Sequence, residues 1–157
     1  MYETVIWATD GSEGADVALQ EALHLAKLSG GRVIAIHCDH RLRGRAAAYP
    51  ALADEEDRRI KLRRQVDELK ADGVDIELVI RRSHREAADV VASVTAELGG
   101  DVIVCGTRGF GPFAGAVLGS FTQRLLHVAP CSVLAVRRRG EVEPEQAKDE
   151  AKAEVGR

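Results

Sequence analysis

The chain has 157 residues, 45% hydrophobic and 30% charged, with a net charge of −3; this is long enough for one domain with a full core and short for two. Its apolar runs are only a few residues long, which excludes a membrane-spanning helix, and three scattered cysteines, Cys38, Cys105 and Cys131, exclude a disulfide framework. Gly140 to Arg157 holds six acidic and three basic residues, the whole of the net charge, so Met1 to Arg139 is neutral and offers nucleic acid no bulk attraction. The expectation is a single domain over residues 1–139 and an acidic, disordered tail over 140–157. The N-terminus has no basic segment followed by an apolar one, so the expected location is the cytoplasm.

The first element, "TVIWAT" (Thr4 to Thr9), is a short β-branched apolar run, the pattern of a strand buried on both faces, and "DGSEG" ends it. Ala15 to Ser29 carries Val17, Ala18, Ala22, Leu25, Ala26 and Leu28 at helical spacing and stops at Gly30-Gly31. "RVIAIHC" (Arg32 to Cys38) is a second strand. A polar link precedes a charged helix from about Asp54 to Ala71, with Ile60, Leu62, Val66 and Leu69 as its core stripe. "VDIELVI" (Val74 to Ile80) alternates apolar and acidic residues at its start, as an edge strand does. Ser83 and Glu86 have capping-box spacing before a helix that runs to Leu98. "DVIVCG" is a fourth strand, Ser120 to Val128 a fourth helix, and "SVLAV" (Ser132 to Val136) a fifth strand.

Strands alternating with helices predict an α/β fold with a parallel sheet covered on both faces. Ligands of such sheets bind beyond the carboxyl ends of the strands, near the point where the strand order reverses. Three segments fall there: Asp10-Gly11-Ser12, His37 to His40, and "GTRGFGPFAGAVLGS" from Gly106 to Ser120. The last holds five glycines and neither a lysine nor a carboxylate. A glycine-rich turn between a strand and a helix exposes backbone N–H groups, and the helix start adds partial positive charge, which together suit an anion, most often phosphate. No Gly-Lys-Ser or Gly-Lys-Thr ends the loop, so it is not a P-loop, and its place after the fourth strand rules out the dinucleotide fingerprint.

The spacing is Gly106, two residues, Gly109, nine residues, then Gly119-Ser120. This G-x2-G-x9-G-(S/T) pattern resembles the nucleotide-binding signature of the universal stress protein family. "VIWATDGSEGA", "GDVIVCGTRGFG" and "LLHVAPCSVLAVR" are similar to the family's first strand and turn, fourth strand, and closing segment, so the likeness covers about Thr4 to Arg137. The resemblance implies a Rossmann-like three-layer sandwich with a five-stranded parallel sheet in order 3-2-1-4-5 and four helices. It implies ATP as ligand, with Mg2+ or Mn2+ between the phosphates. Thr9 and Asp10 would lie by the ribose and adenine, the backbone at His37 and Cys38 would frame the adenine, and Gly106 would lie near the ribose. Thr107 and Arg108 match the Ser/Thr-Arg of the family, while Gly109, Gly119, Ser120 and Phe121 would meet the phosphates. "VIRRSHREAADVV" departs from the pattern, since members often carry a glycine followed by a small residue or proline there.

Several residues admit a second reading. The loop glycines also fit a plain surface segment, Asp10 a turn residue, and Ser120 with Gln123 a capping box. "HCDH" (His37 to His40) has metal-ligating residue types, yet neighbours on a strand point to opposite faces. Cys105 reads as a small core residue, and Arg41, Arg43 and Arg45 as solvated cations or phosphate contacts. Four functions compete: a regulatory ATP-binding stress protein, a slow ATPase, a sensor of cyclic AMP or another adenine nucleotide, and a scaffold without ligand. The fifth strand has no later strand to cover it, which predicts a homodimer built on that edge.

Overall fold

The computed structural model describes residues 1–40, 49–107 and 118–137. The predicted elements all form: β1 (Thr4–Thr9), α1 (Glu13–Ser29), β2 (Arg32–His40), α2 (Tyr49–Ala71), β3 (Ile76–Ser83), α3 (Ala87–Glu97), β4 (Val102–Gly106), α4 (Ser120–Val128) and β5 (Ser132–Val136). The five strands are parallel in the order β3-β2-β1-β4-β5, as expected. β1 is central and buried at every residue. Its side chains alternate between two cores. Val5 and Trp7 pack with α1 and α2, and Ile6 and Ala8 pack with α3 and α4. The period-2 geometry of a strand thus feeds both helical layers from one apolar run.

Alanines at 15, 18, 22 and 26 form the buried stripe of α1 and let it lie close on the sheet. The space is filled from below by Trp7, fully buried, whose indole Nε1–H donates to the Ala15 carbonyl at 2.8 Å. This satisfies the one polar group that burying the ring would otherwise strand. The stripe also contains Leu19, whereas Leu28 is 72% exposed. Leu28 lies about 200° around the helix from Ala26, on the face away from the sheet. In α2, Leu62 and Val66 are buried and Leu69 packs against them, but Ile60 is 56% exposed and lies off the stripe.

Two expected caps differ. β3 continues to Ser83, so this residue ends a strand and its Oγ accepts from the Arg85 N–H; Glu86 precedes α3 without a side-chain cap. At α4 the N-cap is Gly119, and the Gln123 amide donates to the Leu118 carbonyl rather than closing a capping box with Ser120. β3 is an edge, as its acidic alternation suggests. β5 is the opposite edge and leaves Leu134 exposed. No described helix is long and apolar enough to cross a membrane.

The start of the sheet is fastened by Asp101, whose Oδ2 accepts from the Glu3 and Thr4 amides at 2.8 Å each. These bonds hold its carboxyl below the ordinary carboxylate value. The resulting stability is complete above the unfolded-state value of about 4 and is lost as pH falls through the lowered folded-state one. Asp101→Asn is therefore expected to be less stable than the parent at pH 7, with the gap closing below about pH 4 in acid-denaturation curves. Beside it, a Cβ on Gly100 would come within 2.6 Å of Ile6 Cγ1 and 2.7 Å of Thr95 Cγ2, both buried. Gly100→Ala should lower stability by about 1–3 kcal/mol through overpacking, read as a fall in Tm.

Candidate functional site

The three segments singled out by the strand rule come together at the carboxyl edge of β2, β1 and β4. Order reverses there: β1 has β2 on one side and β4 on the other, so the connections leave to opposite faces and a crevice opens between them.

The turn after β1 is set by its own side chains. Thr9 Oγ1 accepts from the Gly11 N–H at 3.1 Å, and Asp10 Oδ1 accepts from the Ser12 N–H at 2.9 Å. Ser12 Oγ caps α1 by accepting from the Ala15 N–H at 3.3 Å. Gly11 takes φ of 79°, a conformation that favours glycine. Asp10 is thus the turn residue its position allows. Its second oxygen has no protein partner among the described residues, so the turn role leaves a carboxylate oxygen open to a ligand.

At the end of β2, His37 is 3% exposed. Its Nδ1 lies 2.9 Å from the Thr9 carbonyl and its Nε2 lies 2.6 Å from Glu55 Oε1 of α2. Both ring nitrogens face acceptors, so the ring is fully engaged and only its backbone is left to contact a ligand. Asp39, on the same face, is buried between Arg82 at 3.1 Å and Arg59 at 3.6 Å. Cys38 points the other way and packs with the α3–α4 core. Burial, with the charges of Asp39 and Glu55, pushes its thiol up to about 11. The side chains of His37, Cys38 and Asp39 therefore diverge into separate contacts instead of converging on a metal, and among the described residues no metal-holding group of three forms.

At β4, burial pushes the Cys105 thiol up to about 11, in keeping with its core position. The ends of the glycine segment are pinned. The Thr107 N–H donates to the Val136 carbonyl at 2.9 Å, and the Gly119 N–H to the Thr107 carbonyl at 2.8 Å. The buried Thr122 donates its hydroxyl to the Gly106 carbonyl at 2.9 Å. The start of α4 is thereby fixed beside the end of β4. Gly119 spends its own N–H on this closure. Among the described residues, the donors left for an anion are the first-turn amides of α4, at Ser120, Phe121 and Thr122, which have no carbonyl four residues back within the helix. The Phe121 ring is partly buried in the core, so only its amide is available. Arg108 and Gly109 lie outside the described residues, as do Arg41, Arg43, Arg45 and the tail.

The sequence reading missed Glu55, Arg58, Lys61 and Thr122. Lys61 Nζ donates to the Gly11 carbonyl at 2.8 Å and to Asp16 Oδ2 at 2.7 Å. Arg58 Nη1 donates to Glu55 Oε2 at 3.3 Å. One signal existed: Glu55 lies seven residues before Leu62 on the α2 stripe, where an apolar residue would be expected.

An open, doubly wound parallel sheet with polar turns gathered at its order reversal defines the Rossmann-like class of α/β protein. The sequence model of the universal stress protein family matches residues 1–137. A universal stress protein of Thermus aquaticus, encoded in a QAH/OAS sulfhydrylase 3′ region, is 32% identical over 140 residues, covering 87% of this chain and all of that one. The chain belongs to the universal stress protein family. Among solved structures, UspA from Lactobacillus plantarum shares the fold, with a TM-score of 0.72 at 19% identity over 87% of this chain and 98% of that one. A universal stress protein crystallised in complex with cAMP is 27% identical with a TM-score of 0.65, covering 86% and 97%.

The closure of the glycine segment on Thr122 makes a stability prediction. Thr122→Val keeps the shape and removes the hydroxyl, leaving the Gly106 carbonyl without this donor. It should cost about 1–3 kcal/mol, measured by denaturant unfolding.

Proposed function

We propose that this chain is a regulatory adenine-nucleotide-binding protein, with ATP as its ligand and Mg2+ or Mn2+ carried with the phosphates. The observation that carries the reading is the pinning of Gly119 to Thr107, which sets the first-turn amides of α4 at the carboxyl edge of β4, the strand next to β1 and its Asp10 turn. A nucleotide needs both ends: an acceptor for ribose or base, and a nest of N–H donors for phosphate. The open oxygen of Asp10 supplies the first. The amides of Ser120 and Phe121, with the Ser120 hydroxyl, supply the second. The motif from Gly106 to Ser120 supports ATP in particular. Its residues fit a metal only as the counter-ion of the phosphates, because they offer N–H and hydroxyl groups and no carboxylate. In this reading the protein acts in the cytoplasm in the stress response and pairs with a second copy through the open edge of β5.

A second reading takes cyclic AMP as the ligand, favoured by the 27%-identical relative crystallised with it. It uses the same Asp10 end and asks less of the α4 amides.

Calorimetric titration with MgATP and with cyclic AMP, beside mass identification of any nucleotide that co-purifies, separates the two. MgATP should bind the parent, and Gly119→Val should raise its Kd at least about tenfold, because a branched side chain at the cap crowds the approach to the α4 amides. Parental affinity in a folded Gly119→Val protein would remove the phosphate assignment. Binding of cyclic AMP alone would favour the second reading, and binding of neither would end both.

A further inference from the structure

Helix α2 packs on the face of the sheet opposite α4, and its polar residues at 55, 58 and 61 lie one turn apart on its surface. All three reach the same short turn. Glu55 Oε1 holds His37 Nε2 at 2.6 Å, and His37 Nδ1 in turn holds the Thr9 carbonyl at 2.9 Å. Glu55 Oε2 holds Arg58 Nη1 at 3.3 Å, and the Arg58 stem lies 3.5 Å from where a Gly11 Cβ would sit. Lys61 holds the Gly11 carbonyl directly. The two oxygens of one carboxylate therefore start two chains of contact, one ending at the residue before Asp10 and the other at the residue after it.

We propose that Glu55 is a positioning residue for the ligand site, fixing the Asp10 turn from both sides through His37 and Arg58. The effect on ligand affinity rests on the adenine-nucleotide reading above; the effect on the turn does not. Glu55 is only 13% exposed. A buried carboxylate is retained at a cost unless its partners compensate it, and here both partners lead to the site. Gly11 at φ 79° is a position where small changes in the surrounding contacts alter the backbone, because nothing in a glycine's own side chain restricts it. Asp10 has one oxygen tied to Ser12, so its free oxygen moves with that turn.

The test uses the full chain, isotope-labelled, as Glu55→Ala and Glu55→Gln, with Glu56→Ala as control. Glu56 is exposed and pairs with Arg59, away from the turn. Glu55→Gln keeps the His37 arm, because its amide N–H can donate to Nε2 while the ring proton stays on Nδ1 for Thr9, but it takes the charge from the Arg58 arm. Without ligand, the Gly11 and Ser12 amide resonances should move in both Glu55 variants, more in Ala than in Gln, and the His37 ring-nitrogen shifts should change. With MgATP, Kd should rise about threefold for Gln and about tenfold for Ala at temperatures where both are folded. Glu56→Ala should match the parent in every readout. A fall in Tm with Gly11, Ser12 and Kd at parental values would make Glu55 merely structural and overturn the proposal. If Glu55→Ala does not fold, Glu55→Gln decides by the same resonances. A parent that binds no MgATP would remove the nucleotide reading, and the Gly11 and Ser12 resonances alone would then decide the role of Glu55.

Discussion

Everything at the candidate site follows from the burial of β1. All six of its residues are buried, and between Thr4 at its start and Thr9 at its end its one polar side-chain group is the indole N–H that Trp7 spends on Ala15. Thr9 is buried as well, and its hydroxyl is used to shape the turn. The change from a dry strand to a solvated turn is thus compressed into Asp10, Gly11 and Ser12. A carboxylate can be presented there because Gly11 adopts a positive φ and Ser12 starts the next helix. The chemistry available to a ligand is set by how abruptly the sheet ends.

The two faces of the crevice are built by different means. On the glycine side the fixing is by backbone: Gly119 to Thr107, Thr107 to Val136, and a threonine hydroxyl to Gly106. These are short, neutral contacts that change little with pH or salt. On the α2 side the fixing is ionic, through Glu55, Arg58, Lys61, Arg59, Asp39 and Arg82. Charged pairs that are partly exposed respond to ionic strength and to nearby charge. An anion beside the start of α4 would meet neutral backbone contacts there and adjustable ionic ones on the α2 side.

This division explains what the sequence made legible. β1, β4 and β5 form over the same residues as their apolar runs, since burial and hydropathy coincide in them. β2 and β3 run past theirs, to His40 and Ser83, because Asp39 and Arg82 pair with each other across the extension and hydropathy is blind to such a pair. The same extension takes Ser83 out of its expected cap. Leu28 and Ile60 fail as core residues because each lies off the buried stripe of its helix, which a loose reading of helical spacing does not exclude. The family was legible because the spacing of the glycine motif and the flanking strand segments carry it, and the family model matches residues 1–137. The α2 contacts were not, because a charged helix looks alike in sequence whether its charges face water or a buried histidine. Only the place of Glu55 in register with Leu62 separated the two cases.

The protonation and engagement of these side chains bear on whether such a site would turn a ligand over or hold it. A general base must keep a lone pair within reach of a water or hydroxyl. Between β1, β2 and β4, the His37 ring is engaged at both nitrogens, Asp39 lies between two arginines, and Cys38 and Cys105 are thiols whose values are near 11. Among the described residues this leaves one open carboxylate oxygen at the turn after β1, the second oxygen of Asp10. A phosphate held on the α4 amides would have donors around it and no described base beside it to activate water. The energy of binding a phosphate there would be available to the contacts that surround the site, of which the ionic ones of α2 are the most readily changed.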